Sequence, residues 1–196
     1  MSAAAVDPAA AESKVAGPGP LSFKRRFTRN ALGIWGVANV IAILGNALKR
    51  LFPVAMQPFV NKDILPIHYA MYAIWSLYMA YAEGYKAFHL KFAPMVVNRA
   101  FHLHENKSLL NIVLAGPYSM GLFAASCKCM IVSWSITAGV FALISVVKHL
   151  PYPYRSLVDG GVVVGLSLGT ASILWNAMKA LFGIMPKVDE EDKKKD

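Results

Sequence analysis

ILPIHYAMYAIWSLYMAYAEGYKAFHLKFAPMVVNR, Ile64 to Arg99, joins an apolar run to a charged and aromatic one, and its reading decides the fold. Ile64 to Ala82 carries no formal charge. As a helix it would extend roughly 28 Å, about the hydrocarbon thickness of a bilayer. Glu83, Lys86, His89 and Lys91 follow directly, so the spacing predicts a membrane-spanning helix that ends near Ala82 in interfacial polar residues. Glu83 and Lys86 lie three apart and share a helix surface, which predicts a solvated or interfacial ion pair past the span, with an intramembrane relay as the alternative.

Tyr69, Tyr72, Trp75, Tyr78 and Tyr81 recur every third residue. Each step of three falls short of a full turn by about 60°, so the rings wind round the helix instead of lining one face. They are expected to sit at the two membrane interfaces and between helices. The alternative is one wall of a pigment, quinone or lipid site. The candidates for a ligand site or polar network are His68, Tyr72, Trp75, Glu83, Lys86, His89, Arg99 and Asp159.

Across the whole chain of 196 residues, 56% are apolar and 16% charged, with a mean hydropathy of +0.44. These values are far from a soluble average and predict an all-α, polytopic transmembrane helical bundle of four to five hydrophobic helices plus a short interfacial helix. The expected organisation is a flexible N-terminal tail over 1–23, a helical membrane domain over 24–185 and a charged tail over 186–196. The net charge of +9 gathers at the ends and in loops, as topology charge does. No basic stripe with base-stacking aromatics lies outside the apolar segments, so no nucleic-acid partner is expected. Cys127 and Cys129 are too close to staple distant parts, which excludes a disulfide framework. As a lone pair they are read as ordinary thiols in a short connection, with metal ligation or lipidation as weaker options.

In chain order, Met1 to Pro20 lacks the uninterrupted apolar core of a secretory signal. Ala31 to Leu48 is the first hydrophobic segment, with Pro53 expected to stop its helix and Leu51 to Val60 to form an interfacial connection. Its Gly33, Gly36 and Gly45 predict close helix contacts, and Asn39 and Asn46 predict interhelical hydrogen bonds. Pro94 opens a short helix, Met95 to His104, expected to lie along the interface. Leu109 to Ser126 is broken by Gly116 and Pro117, and with Met130 to Val147 reads as a helical hairpin. The last segment is Leu157 to Ile184, where Ser156 and Asp159 have capping-box spacing. Gly161, Gly165 and Gly169 recur every four residues, a bare ridge for close helix packing whose partner is either internal or another chain.

Lys and Arg distribute almost evenly, 11 against 9, if all five hydrophobic segments cross. If Leu109 to Ser126 does not cross, the division becomes 15 against 5, a proper positive-inside asymmetry with both termini on the positive side. Four crossings are therefore favoured.

Five histidines, His68, His89, His102, His104 and His149, raise a metal or haem enzyme. The repeated HxxxH and HxxHH clusters of membrane di-iron enzymes are missing, and His102 and His104 diverge by about 200° on a helix. No G-x-S-x-G, H-E-x-x-H or P-loop occurs. No catalytic or metal site is expected, the chain is not read as an enzyme, and the cofactor is left unknown.

Leu77 to Ala100, Ser133 to Val140 and Leu150 to Gly169 resemble an uncharacterised family of small multispanning membrane proteins of bacteria and photosynthetic eukaryotes. The resemblance implies a membrane location, in a plastid, another organelle or the plasma membrane, and brings no activity with it. Cys127-Lys128-Cys129 stands where that family carries several basic residues.

Packing motifs are well represented and catalytic constellations are not. The expected role is an integral membrane structural subunit or assembly factor that packs on other membrane proteins, or on its own copies, or binds lipid or pigment. A small oligomeric transporter or channel is the alternative.

Overall fold

The computed structural model describes residues 23–62, 64–104, 109–123, 125 and 127–186, all helical or connecting, with no strand among them. The expected tails lie outside the described residues except for Phe23, which begins α1, and Pro186, and the side chains of Cys127 and Cys129 lie outside them too. The helices are α1 (Phe23–Asn61), α2 (Pro66–Met79), a π-helical segment (Ala80–Phe92), α3 (Ala93–His102), α4 (Leu109–Val113), α5 (Ala115–Ser119), α6 (Cys127–Val147) and α7 (Tyr154–Leu181). The all-α expectation holds. Two helices, α1 from Arg26 and α7, are long and apolar enough to cross a membrane. The 14-residue α2 is shorter than a span by itself.

Three rods make the body of the molecule. α1 does not stop at Pro53 but runs through Pro53 and Pro58 to Asn61. Each proline deletes a helical donor and loosens the carbonyls of the preceding turn. Here side chains grip that stretch: the Tyr72 hydroxyl donates to the Ala55 carbonyl at 3.1 Å and the Tyr69 hydroxyl to the Pro58 carbonyl at 3.0 Å. The expected interfacial connection over Leu51 to Val60 is therefore the last part of α1.

α2, the π segment and α3 form a second continuous rod, so the central helix does not end near Ala82. Pro94 falls in the first turn of α3, where its missing N–H costs least, at the change from i→i+5 to i→i+4 bonding. The short interfacial helix is corrected as well. Val96, Val97 and Ala100 are 0% exposed and Phe101 is 1% exposed. These side chains form the core with Val37, Val40 and Leu44 of α1 and Ile173 and Ala180 of α7.

Leu109 to Ser126 is not one helix. α4 and α5 have five residues each, roughly 7.5 Å of rise, and the break falls at Leu114, just before Gly116 and Pro117. Gly121, at φ 76°, closes α5: its N–H bonds the Tyr118 carbonyl and Leu122 N–H bonds that of Pro117, both at 3.0 Å. Gly183, at φ 90°, ends α7 the same way, with Ile184 N–H on the Lys179 carbonyl. α6 joins this region at its start, where Ser133 donates to the Met120 carbonyl and Trp134 to that of Leu122, each at 3.0 Å.

The first helix packs through its glycines as expected at two of three positions. A Cβ on Gly33 would lie 2.8 Å from the Phe101 ring and one on Gly36 2.9 Å from Ser119 Oγ, whereas Gly45 faces nothing within 4 Å. Among the described residues Asn39 makes no interhelical bond, its amide donating to the Trp35 carbonyl of its own helix, and Asn46 is exposed.

Candidate functional site

The residue pairs along the seam between the second rod and α7 rise together: Tyr72 meets Gly160, Trp75 meets Gly161, Glu83 meets Gly165, Phe88 meets Gly169 and His89 meets Ser172. The two helices are therefore parallel. The glycine ridge is filled from within the chain, since a Cβ on Gly161 would stand 2.5 Å from Trp75 Nε1, and one on Gly169 2.5 Å from the Phe88 ring. From the opposite side Gly84 leaves room for Leu168. Bare backbone on α7 meets large side chains of the rod, so these particular glycines are packing surfaces and not an outward docking face.

Six of the eight candidate polar and aromatic residues come together here. His68, Tyr72, Trp75 and Asp159 gather at the start of α7, and Glu83 and His89 follow further along. The aromatic sequence winds as its spacing predicts: Tyr69 and Tyr72 reach α1, Trp75 reaches α7, and Tyr78 and Tyr81 are exposed.

At the α7 start, Asp159 is buried at 6% exposure, 3.8 Å from Arg155 Nε. The capping box is not formed. α7 begins at Tyr154 with no side-chain cap, and Ser156 instead donates to Gln57 of α1 at 3.5 Å. His68 meets the Tyr154 ring edge-on at 6.1 Å. Four buried polar atoms at this end, His68 Nδ1, Trp75 Nε1, Ser76 Oγ and Arg155 Nε, have no hydrogen-bond partner among the described residues. Arg155 Nε is compensated by its ion pair with Asp159, whereas each of the other three costs about 1–3 kcal/mol, so this end holds polar capacity that packing does not use. Beside it Met71, Ile74, Trp75, Tyr78 and Leu157 line an open apolar groove of about 380 Å3.

Further along, Glu83 forms no ion pair with Lys86, because the π segment turns the two apart. Lys86 is exposed, with Nζ 5.4 Å from the Tyr81 ring centre, while Glu83 faces Gly165. His89 Nδ1 and Ser172 Oγ share a hydrogen bond of 2.9 Å, and the His89 ring continues a stack through Tyr85 to Tyr81 at 5.7 and 6.2 Å.

Arg99 lies elsewhere. It holds the α5 turn, donating to the carbonyls of Tyr118 at 2.9 Å and Phe123 at 3.2 Å with its guanidinium over the Tyr118 ring. His102, His104 and His149 each bond a carbonyl of their own helical stretch. Among the described residues no three of His, Cys, Asp and Glu come close enough to share a metal ion.

Reading the sequence missed Ser76, Arg155 and Ser172. Ser172 had a signal, being three residues past Gly169 on the small-residue face of α7. Arg155 had one too, four before Asp159. No protein-family model, curated protein or solved structure matches this chain.

Proposed function

We propose that this chain is an integral membrane structural subunit or assembly factor that crosses the bilayer four times and packs on other membrane proteins, on copies of itself, or on lipid or pigment. One observation carries the reading: in the most apolar stretches of α1 and α7 only 28% and 33% of residues are buried inside the molecule. The core helix of a soluble protein is mostly buried, whereas a helix facing lipid or a membrane partner leaves its apolar side chains outward. Ile34 and Trp35 of α1 and Leu174, Trp175 and Met178 of α7 do so here.

The direction of the helices supports four crossings. With α1, the second rod, α6 and α7 as spans, the rod and α7 are second and fourth and run parallel, as their paired residues do. A fifth crossing over Leu109 to Ser126 would make them antiparallel. The glycine ridge is consumed internally, so docking falls to the outer aromatic and apolar faces, including the groove around Trp75.

The test is gentle detergent extraction from the native source, with mass spectrometry and an absorption spectrum of what accompanies the chain. Co-purifying membrane proteins or a pigment are expected. A monomeric chain free of other proteins, pigment and bound lipid, or one released from vesicles by alkaline carbonate, overturns the proposal. A small transporter is the second reading, favoured by the polar groups inside the seam, and it predicts solute or ion flux in proteoliposomes of the purified protein alone.

A further inference from the structure

We propose that the outer face of the π segment, formed by Tyr81, Tyr85 and Lys86, docks a membrane helix of a different protein through a carboxylate which that helix carries. The proposal rests on the membrane-subunit reading and names the face used and the chemistry of one partner. Tyr81 and Tyr85 are 56% and 50% exposed, and Lys86, Leu90 and Lys91 are exposed beside them. The rings of Tyr81, Tyr85 and His89 stack in succession, and Lys86 Nζ lies 5.4 Å from the Tyr81 ring centre. Tyrosines held in a stack are already ordered, so they offer a partner broad contact at little loss of entropy. The charge of Lys86 is the unbalanced part. Glu83, the acid of the same segment, turns to Gly165 in the seam, and no ion pair joins Lys86 among the described residues.

Height along the bundle decides what covers this face. His89 on Ser172 and Gly84 under Leu168 set the π segment level with residues 168–172 of α7. Around that level α7 turns outward Ser167, whose hydroxyl donates to the Val163 carbonyl, then Ala171 and Leu174, a surface that lipid chains can wet. Beyond it Trp175 and Met178 are exposed as well. A headgroup layer at this height would leave the apolar end of α7 standing in water, whereas hydrocarbon on both faces would leave Lys86 charged in lipid. Ionisable residues at such a height face protein and pair there. A partner carboxylate on Lys86 satisfies both faces at once. A second copy of this chain lacks one to offer: Glu83 lies in the seam and Asp159 is 6% exposed beside Arg155. The remaining acids of the sequence stand between the hydrophobic segments or in the end segments. The partner is therefore another protein.

Native membranes holding the full-length protein are treated with dicyclohexylcarbodiimide, and the Lys86 peptide is sequenced by mass spectrometry. The reagent activates a carboxyl, leaves as dicyclohexylurea and joins the acid carbon to Nζ as an amide, so a link forms only across a contact. In a parallel arm Tyr85 is replaced by p-benzoylphenylalanine, which on illumination bonds to whatever lies against it. The expected result is a link from Lys86 to an Asp or Glu in a membrane segment of another protein, and the same protein in the photoadduct. Lys86→Glu should lower recovery of that complex by about tenfold or more and Lys86→Arg by less than about twofold, with the thermal midpoint of the purified chain unchanged in both. No link at Lys86, a link to a second copy, photoadducts with lipid alone, or a complex indifferent to Lys86→Glu overturns the docking face. Release of the chain by alkaline carbonate overturns the membrane reading and the face together. A retained chain that still brings down membrane proteins, with only lipid on residue 85, overturns the face alone.

Discussion

At the scale of single residues, the glycines of this chain are not equivalent, and their differences are measurable. Gly169→Leu drives a side chain into the Phe88 ring and Gly161→Leu into Trp75. Overpacking of this kind costs about 1–3 kcal/mol, so each variant should lower the thermal midpoint of the detergent-solubilised protein. Because the ridge is internal, the loss should appear in the fold of a single chain, not in association alone. Gly45→Ala meets open space within a helix and should instead stabilise by about 0.5–1 kcal/mol in the same assay. A raised midpoint for the ridge variants, or a lowered one for Gly45→Ala, would contradict this packing. Spacing alone marked the ridge, yet it could not distinguish Gly45 from Gly36, because what faces a glycine is supplied by another helix.

At the scale of elements, two helices last only because side chains from elsewhere hold them. α1 continues past Pro53 and Pro58 with Tyr69 and Tyr72 on its carbonyls. Tyr69→Phe combined with Tyr72→Phe should speed amide exchange across residues 54–61 by about thirtyfold, on the basis of roughly 1 kcal/mol for each of the two lost hydrogen bonds, and leave the core of α3 unchanged. Unaltered exchange there would show that α1 needs no such support. The α5 turn depends on the two carbonyl bonds of Arg99. Arg99→Lys should fail to rescue what Arg99→Ala loses, because an ammonium cannot reproduce the fork of the guanidinium; limited proteolysis near Gly121 reads the difference. Local rules ended α1 at Pro53, and this failed because a proline removes a donor, but whether the helix breaks depends on what else bonds the freed backbone. Pro94 does stand in the first turn of an α-helix, α3, which continues directly from the π segment.

At the scale of the whole molecule, the proposed four crossings fix the side on which each connection lies. With Cys127 and Cys129 replaced by Ser, single cysteines at Lys62 and Lys148 should react with an impermeant maleimide from one side of sealed vesicles, and those at His102 and Phe182 from the other. Five crossings would exchange Lys148 and Phe182, so the same four labels decide between them. The helical class, the apolar segments, the glycine ridge and the roster of polar candidates were determined by the sequence itself, since each follows from periodicity, charge and spacing along one helix. Only the tertiary structure decided that Met95 to His104 is core and not surface, that the ridge faces its own chain, and that Glu83 stands apart from Lys86 and against Gly165. Those three outcomes depend on which helices become neighbours and in which direction they run, and that is set by contacts between residues up to a hundred positions apart, beyond the reach of any pattern confined to one turn or one segment.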